Sequence, residues 1–302
     1  MKRILVTGAN GLLGQKLVYR MKGLNNVECM ATGKGENRLI DHEGYTYDEV
    51  DITDYISVNK IITRLKPDII IHGAAMTNVD ACETDQENCR LLNVEAVRNL
   101  AQVCETLNIH LIHVSTDFIF NGESGPYDET AKPDPISYYG WSKAEAEKIV
   151  QKMNTPWTII RTVLVYGIVD HMSRSNIVLW VKNSLEQGKK INVVNDQWRT
   201  PTLAEDLAEG CFLAAMKGAT GIYNISGNEF MNIYEIACKV ADHYGLDKDL
   251  IHPTDSTTLN QPARRPPKTG FIIDKAMKEL GYRPTSFANS LTILDKQLKN
   301  HH

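Results

Sequence analysis

The chain has 302 residues, enough for one large α/β domain or for a cofactor domain carrying a smaller substrate portion. Its 33 Lys and Arg against 37 Asp and Glu give a formal net charge of −4 with no long block of one sign, which points away from nucleic-acid and anionic-membrane surfaces and toward small-molecule chemistry. The six cysteines (Cys29, Cys82, Cys89, Cys104, Cys211, Cys238) form no C-x-x-C pair, and no stretch approaches the ~18 apolar residues of a membrane span or a signal segment, so no metal is assigned and a soluble cytoplasmic protein is expected. In chain order, short apolar runs bounded by Gly, Pro or Asn alternate with longer segments of helical period. Strands are expected at 3–7, 27–32, 68–72, 110–115 and 157–161, with helices near 13–22, 56–65, 89–107 and 139–153. Ile69-Ile70-Ile71 and Leu111-Ile112 are continuous rather than alternating, as in parallel strands covered on both faces. The fold class is therefore α/β, a Rossmann-like doubly wound parallel sheet.

Residues 1–166 carry this pattern as a dinucleotide-binding domain. From 167 to 302 it loosens into a smaller α/β substrate-binding portion interleaved with the sheet: helices near 177–187, 233–244 and 275–280, strands at 191–194 and 222–225, and an extended Pro-rich loop over 261–267. The closing His301-His302 pair is set aside.

Gly8-Ala9-Asn10-Gly11-Leu12-Leu13-Gly14 follows the first strand and opens the first helix, the context that gives a glycine pattern meaning. The glycines permit a tight turn, close backbone approach to a pyrophosphate and close packing of helix on sheet, with the helix N-terminus facing the phosphates. After the second strand, Thr32-Gly33-Lys34-Gly35-Glu36-Asn37-Arg38 places no acid at the strand end but sets Lys34 and Arg38 nearby. A ribose 2′-phosphate suits those cations, so NADP(H) is the expected cofactor, with NAD(H) as the alternative. Asp51-Ile52 either meets the adenine ring or forms a solvated turn.

Tyr139-Gly140-Trp141-Ser142-Lys143 sets a phenol and an ammonium one helical turn apart on one face. A free phenol has a pKa of about 10, and a nearby ammonium is expected to bring it toward working pH, while also reaching a nicotinamide ribose. Upstream, Ser115-Thr116-Asp117 ends a strand at the carboxyl edge, where open α/β sheets bind ligands; Thr116 can hold a carbonyl oxygen beside Tyr139.

Together with these, His72-Gly73-Ala74-Ala75-Met76-Thr77-Asn78-Val79-Asp80, Ser115-Thr116-Asp117-Phe118-Ile119-Phe120, Arg161-Thr162-x-x-Val165-Tyr166-Gly167 and Asn195-Asp196-Gln197-x-x-x-Pro201-Thr202 resemble the dTDP-4-dehydrorhamnose reductase family of extended short-chain dehydrogenase/reductases across nearly the whole chain. The resemblance implies reduction of the C4 ketone of dTDP-4-dehydro-L-rhamnose by NAD(P)H. It implies that Thr116 and Tyr139 bind the ketone oxygen, that Tyr139 supplies the proton, and that Lys143 holds the ribose and tunes Tyr139. Gly8, Asn10, Gly11, Leu12, Leu13, Gly14, Lys34, Arg38, Asp51, Ile52, Ala74 and Ala75 are then the cofactor residues, with Tyr139 and Lys143. Thr77, Val79, Thr116, Asp196 and Arg199 become the substrate residues. Asn93 is either part of the helix facing the cofactor or a structural amide. The expected partners are a nucleotide-sugar substrate and a second copy of the chain in a homodimer, with neither nucleic acid nor membrane.

Two stretches depart from the family's pattern: Trp198-Arg199 replaces an aromatic followed by a small residue, and Arg265-Pro266-Pro267-Lys268-Thr269 puts a cation where a small polar pair is usual. Such replacements in a sugar-nucleotide cleft reject one ligand and admit another, so the sugar stays open. Dehydratases of the superfamily carry Thr-Asp-Glu where this chain has Thr116-Asp117-Phe118, and so lose the second carboxylate here. An epimerase that retains its cofactor is one alternative. A non-catalytic NADP-binding regulatory protein is the other, because the regulatory subunit of methionine adenosyltransferase resembles the same family.

Overall fold

Ile4–Val6, Ile69–Ile71 and Leu111–Ile112 are buried on both faces, and the elements around them show why: they are the middle of a sheet with helices on each side. The computed structural model describes residues 1–172 and 175–300; His301 and His302 lie outside the described residues. The strands are β1 (Lys2–Thr7), β2 (Val27–Gly33), β3 (Thr46–Glu49), β4 (Ile69–His72), β5 (His110–Thr116), β6 (Trp157–Thr162) and the late strand Gly221–Asn224. They form one seven-stranded sheet in the order Gly221–Asn224, β6, β5, β4, β1, β2, β3, with every pairing parallel. The order reverses between β1 and β4, and the crevice outside the carboxyl ends of those strands is where such sheets take ligands.

One face packs on α1 (Leu12–Met21) and α8 (Ala204–Lys217), through Leu17, Val18, Leu207 and Ala208 against Ile4 and Val6. The other packs on α2 (Tyr55–Leu65), α5 (Ala96–Leu107) and α6 (Tyr138–Val150), through Val58, Ile62, Val97, Leu100, Ala146 and Val150 against Leu5, Ile70 and Leu111. Two short helices, α3 (Val79–Thr84) and α4 (Gln86–Arg90), sit beside α6. A third core joins α7 (Ile177–Glu186), α9 (Ile233–Tyr244) and α10 (Phe287–Asn300) to the parallel strand pair Ile191–Val194 and Ile251–Thr254. Among the described residues no helix is long and apolar enough to cross a membrane.

The doubly wound sheet agrees with the sequence reading, while several elements differ. β3 was not foreseen, because Thr-Tyr-Asp-Glu at a half-exposed sheet edge lacks an apolar run. The helix expected over 89–107 is divided into α4, a π-helical turn at Leu91–Glu95 and α5. The one expected near 275–280 is a π-helical turn at Ala276–Leu280. α8 carries Gly210 mid-helix, normally a helix-weakening residue, because a Cβ there would come within 2.6 Å of Ile225. The strand near 222–225, expected in the substrate portion, completes the edge of the central sheet beside β6.

Candidate functional site

The β1–α1 turn forms the floor of a cleft of about 500 Å³ at the switch point. Gly8 takes φ +71, a left-handed conformation that a side chain would strain, and a Cβ on it would come within 2.8 Å of Ala74 N. A Cβ on Gly14 would strike the Gly8 carbonyl, so glycine there lets α1 close onto its own entry turn. The N-cap of α1 is Gly11, and no side chain caps it, so the first-turn N–H groups and the positive end of the helix dipole are directed at the cleft. A pyrophosphate fits this cradle. Gly8, Asn10, Gly11 and Leu12 line the cleft together with Lys34, Arg38, Asp51, Ile52, Ala74, Ala75 and Thr77. Leu13 turns instead into the core between α1 and the sheet.

Asn10 fixes the neighbouring wall. Its Nδ2 donates to Glu36 O (2.9 Å) and Lys34 O (3.3 Å), and its Oδ1 accepts from Arg38 N (3.0 Å), so one amide staples the 34–38 loop to the glycine turn. Lys34 reaches across to Asp51 at 2.7 Å, and this pairing is the largest of the causes that hold the Asp51 carboxyl down to about 2. Asp51 thus faces the cleft as a carboxylate paired to Lys34, while Lys34 remains exposed enough to turn toward an anion.

Thr116 ends β5, and Tyr139 and Lys143 lie on α6 with their side chains buried. Ser137 caps α6 through Gly140 N (3.2 Å), which fixes the first turn and is worth about 1 kcal/mol. A Cβ on Gly140 would strike the Phe118 carbonyl, so this glycine is what lets the helix start press against the residues following Thr116. The Thr116 hydroxyl lies near the Tyr139 phenol, itself donating to Asp117 Oδ1 (3.1 Å) and accepting from Phe118 N (3.3 Å). The phenol is not brought down by Lys143 as the sequence reading expected: burial pushes it above its ordinary value, the nearby Thr116 hydroxyl opposes this and the Asp117 charge adds to it. Lys143 does not offset this burial: its Nζ donates to Val114 O (2.7 Å) and lies 3.2 Å from His113 Nε2. Burial lowers the Lys143 ammonium to about 8, with Glu147 and Cys89 opposing. Asn93 is a structural tie: it accepts from Met76 N (2.8 Å) and donates to Met76 O (3.0 Å) and to Ser142 Oγ on α6 (3.0 Å).

The expected substrate residues separate. Thr77 lines the cleft, and Val79 packs beside the Tyr139 cluster. Asp196 and Arg199 are not brought to the cleft. Asp196 accepts from Ser256 N (3.1 Å) and Oγ (2.6 Å), closing a distant turn. Arg199 is 3% exposed and donates to the carbonyls of Trp198 (2.7 Å), Pro266 (2.8 Å) and Pro267 (3.1 Å), with Asp117 at 3.5 Å. Thr269 donates to the same Asp117 carboxylate, and Asp80 holds Arg265 at 2.6 Å and accepts from Ala263 N at 3.1 Å. The Pro-rich loop is thereby tied at three points to the strand and helix ends that carry Thr116 and Val79. A buried cation with carbonyl partners has its hydrogen bonds taken, which is why the motif's arginine faces inward.

Residues 1–299 match the family model described as RmlD substrate binding domain. The chain belongs to that family. It is 34% identical over 257 residues to methionine adenosyltransferase 2 subunit beta of Xenopus laevis, covering 83% of this chain and 75% of the other. It is 30% identical over 298 residues to the probable low-salt glycan biosynthesis reductase Agl14 of Haloferax volcanii, covering 98% of each. The solved dTDP-4-dehydrorhamnose reductase of Bacillus anthracis in complex with NADP superposes with a TM-score of 0.84 at 26% identity, over 98% of this chain and 100% of that one.

In this RmlD-family chain the cleft also has a wall that the sequence reading missed. Val165, Val169, His171, Met172, Ser175 and Asn176 face it from the segment after β6. Their position just beyond the carboxyl end of a central strand was the available signal. Asp170 anchors the segment: it accepts from Ile40 N (2.9 Å) and Tyr19, and its backbone exchanges hydrogen bonds with the Gln15 amide at 2.9 and 3.0 Å.

Proposed function

We propose that this chain is a reductase of a nucleotide-linked 4-keto sugar that prefers NADP(H), with dTDP-4-dehydro-L-rhamnose, reduced to dTDP-L-rhamnose, as the leading substrate. The observation that carries this reading is the placement of Thr116, Tyr139 and Lys143 around the carboxyl end of β5, at the same edge of the sheet as a glycine-loop cleft that they do not themselves line and whose lining includes Lys34 and Arg38. Residues 1–166 would hold the dinucleotide and 167–302 would shape the sugar site.

The first-turn amides of α1 bind the pyrophosphate, and Lys34 with Arg38 meets the 2′-phosphate once Lys34 leaves Asp51. The bound nicotinamide supplies the hydride. Tyr139, whose buried phenol keeps its proton at neutral pH, donates that proton to the ketone oxygen as the alcohol forms, and Thr116 holds the same oxygen. The Lys143 ammonium, one turn along α6, stabilises the phenolate left behind and meets the ribose. Arg199 and Asp117 act one step removed, holding the 263–269 loop as the wall against which the sugar packs.

A second reading is favoured by the 34% identity to methionine adenosyltransferase 2 subunit beta: a nucleotide-binding subunit without turnover. The test is incubation with NADPH and a panel of dTDP-linked 4-keto sugars while nicotinamide absorbance is followed. Net loss of NADPH with one keto sugar is expected. Tight NADPH binding with no turnover across the panel would establish the subunit reading instead, and sugar interconversion without NADPH loss would indicate an epimerase.

A further inference from the structure

Beneath the cleft, on the face of the sheet that carries α2, α5 and α6, two rows of side chains cross three strands. In the lower row Leu5, Ile70 and Leu111 are paired in register and fully buried, an ordinary apolar core. In the row above, the same pairing aligns Thr7, His72 and His113, which are just as buried but polar. Thr7 Oγ1 lies 2.7 Å from His72 Nδ1, the two imidazoles stack with centroids 5.4 Å apart, and His113 Nε2 lies 3.2 Å from Lys143 Nζ. The outer nitrogens, His72 Nε2 and His113 Nδ1, are buried without a hydrogen-bond partner. Apolar residues would fill this volume without that desolvation cost, as the row below does, so the histidines serve something other than packing.

What they serve is visible at the end of the row. Nζ of Lys143 has three N–H donors as an ammonium; Val114 O takes one and His113 Nε2 is placed to take a second. Burial, then Lys143, then His72 hold the His113 pKa well below its ordinary value, so the ring is neutral and can accept at Nε2 with its proton on Nδ1. We propose that His113 is the positioning residue for Lys143: its Nε2 holds the ammonium from beneath and leaves one N–H for the cofactor ribose and Tyr139. The Thr7–His72–His113 row ties that position to the residue preceding the glycine turn. This rests on the reductase reading for the role of Lys143, but not for the His113–Lys143 pair itself.

The other groups facing Lys143 are Glu147 on α6, itself paired with Arg161 at 2.7 Å, Cys89 from α4, and His72 behind His113. Because a neutral acceptor favours the charged amine, removing it moves deprotonation of Lys143 to lower pH. NADPH affinity measured by nicotinamide fluorescence between about pH 6.5 and pH 10 reads this without turnover, and the wild type should show an inflection near the Lys143 value of about 8 that Lys143→Met abolishes. His113→Phe keeps a ring against His72 but no acceptor; the inflection should fall by about one pH unit and affinity at pH 8 by roughly threefold to tenfold, whereas His113→Gln should restore both. His113→Leu carries the same comparison if the phenyl ring abolishes the cooperative thermal transition. An inflection unmoved in the acceptor-free variant, or one that survives Lys143→Met, overturns the proposal. A protein that shows these shifts yet reduces no keto sugar upholds the pair and overturns only the reductase reading.

Discussion

The glycine-turn cleft and the buried Tyr139 cluster are built by opposite means. At the glycine turn the groups that face a ligand are backbone N–H groups and exposed cations; the Lys34 side chain is 80% exposed, and one amide, Asn10, sets the loop. At the Tyr139 cluster they are side chains with almost no exposure, surrounded by a second set of buried polar residues: Asn93, His113, Asp117 and Arg199. A dinucleotide brings its own charge, so oriented dipoles and reachable cations suffice to bind it. Proton transfer needs a side chain whose pKa is set by its surroundings, and only burial sets it that far.

If that contrast is right, substitutions in the two regions should separate chemistry, stability and affinity. The largest effect belongs to Tyr139→Phe, which should cut turnover of the keto sugar by about a thousandfold. NADPH affinity by fluorescence and the melting temperature should be nearly unchanged; a fall in NADPH affinity comparable to the loss of turnover would mean that the two regions are not independent. Arg199→Ala comes next. It strands the buried Asp117 carboxylate and should cost about 3 kcal/mol, a drop in melting temperature of roughly 5 °C, with KM for the sugar raised and NADPH affinity preserved. An unchanged melting temperature would show that Arg199 is not the clamp its hydrogen bonds describe. The smallest effect is expected from Lys34→Ala or Arg38→Ala, each lowering NADPH affinity about tenfold while leaving NADH affinity and melting temperature almost unaltered. Equal losses for both cofactors would remove the 2′-phosphate from the account.

Much of the cofactor region was legible in the chain itself. Gly8, Gly11 and Gly14 follow an apolar strand and open a helix, and Gly8 and Gly14 sit where a local backbone constraint demands glycine. The catalytic region was legible only as residue types. Gly140 between Tyr139 and Trp141 looked incidental until its contact with the Phe118 carbonyl was seen, and Asn93 stood between two readings until its bonds to Met76 and Ser142 chose one. Arg199 fits a substrate motif by position, yet its partners lie 67 and 68 residues away at Pro266 and Pro267.

The sequence alone determined the sheet, the glycine turn and the pairing of Tyr139 with Lys143 on one helical face. Those rest on contacts between near neighbours and on the periodicity of burial, both written in local order. Only the tertiary structure decided that Lys143 turns to His113, that the Tyr139 phenol is raised rather than lowered, that Asp51 answers Lys34, and that Arg199 clamps a loop. Each of these depends on how deeply a polar group is buried and on which distant group meets it there. Strand order and loop packing fix that depth and those partners, and no stretch of chain carries them by itself.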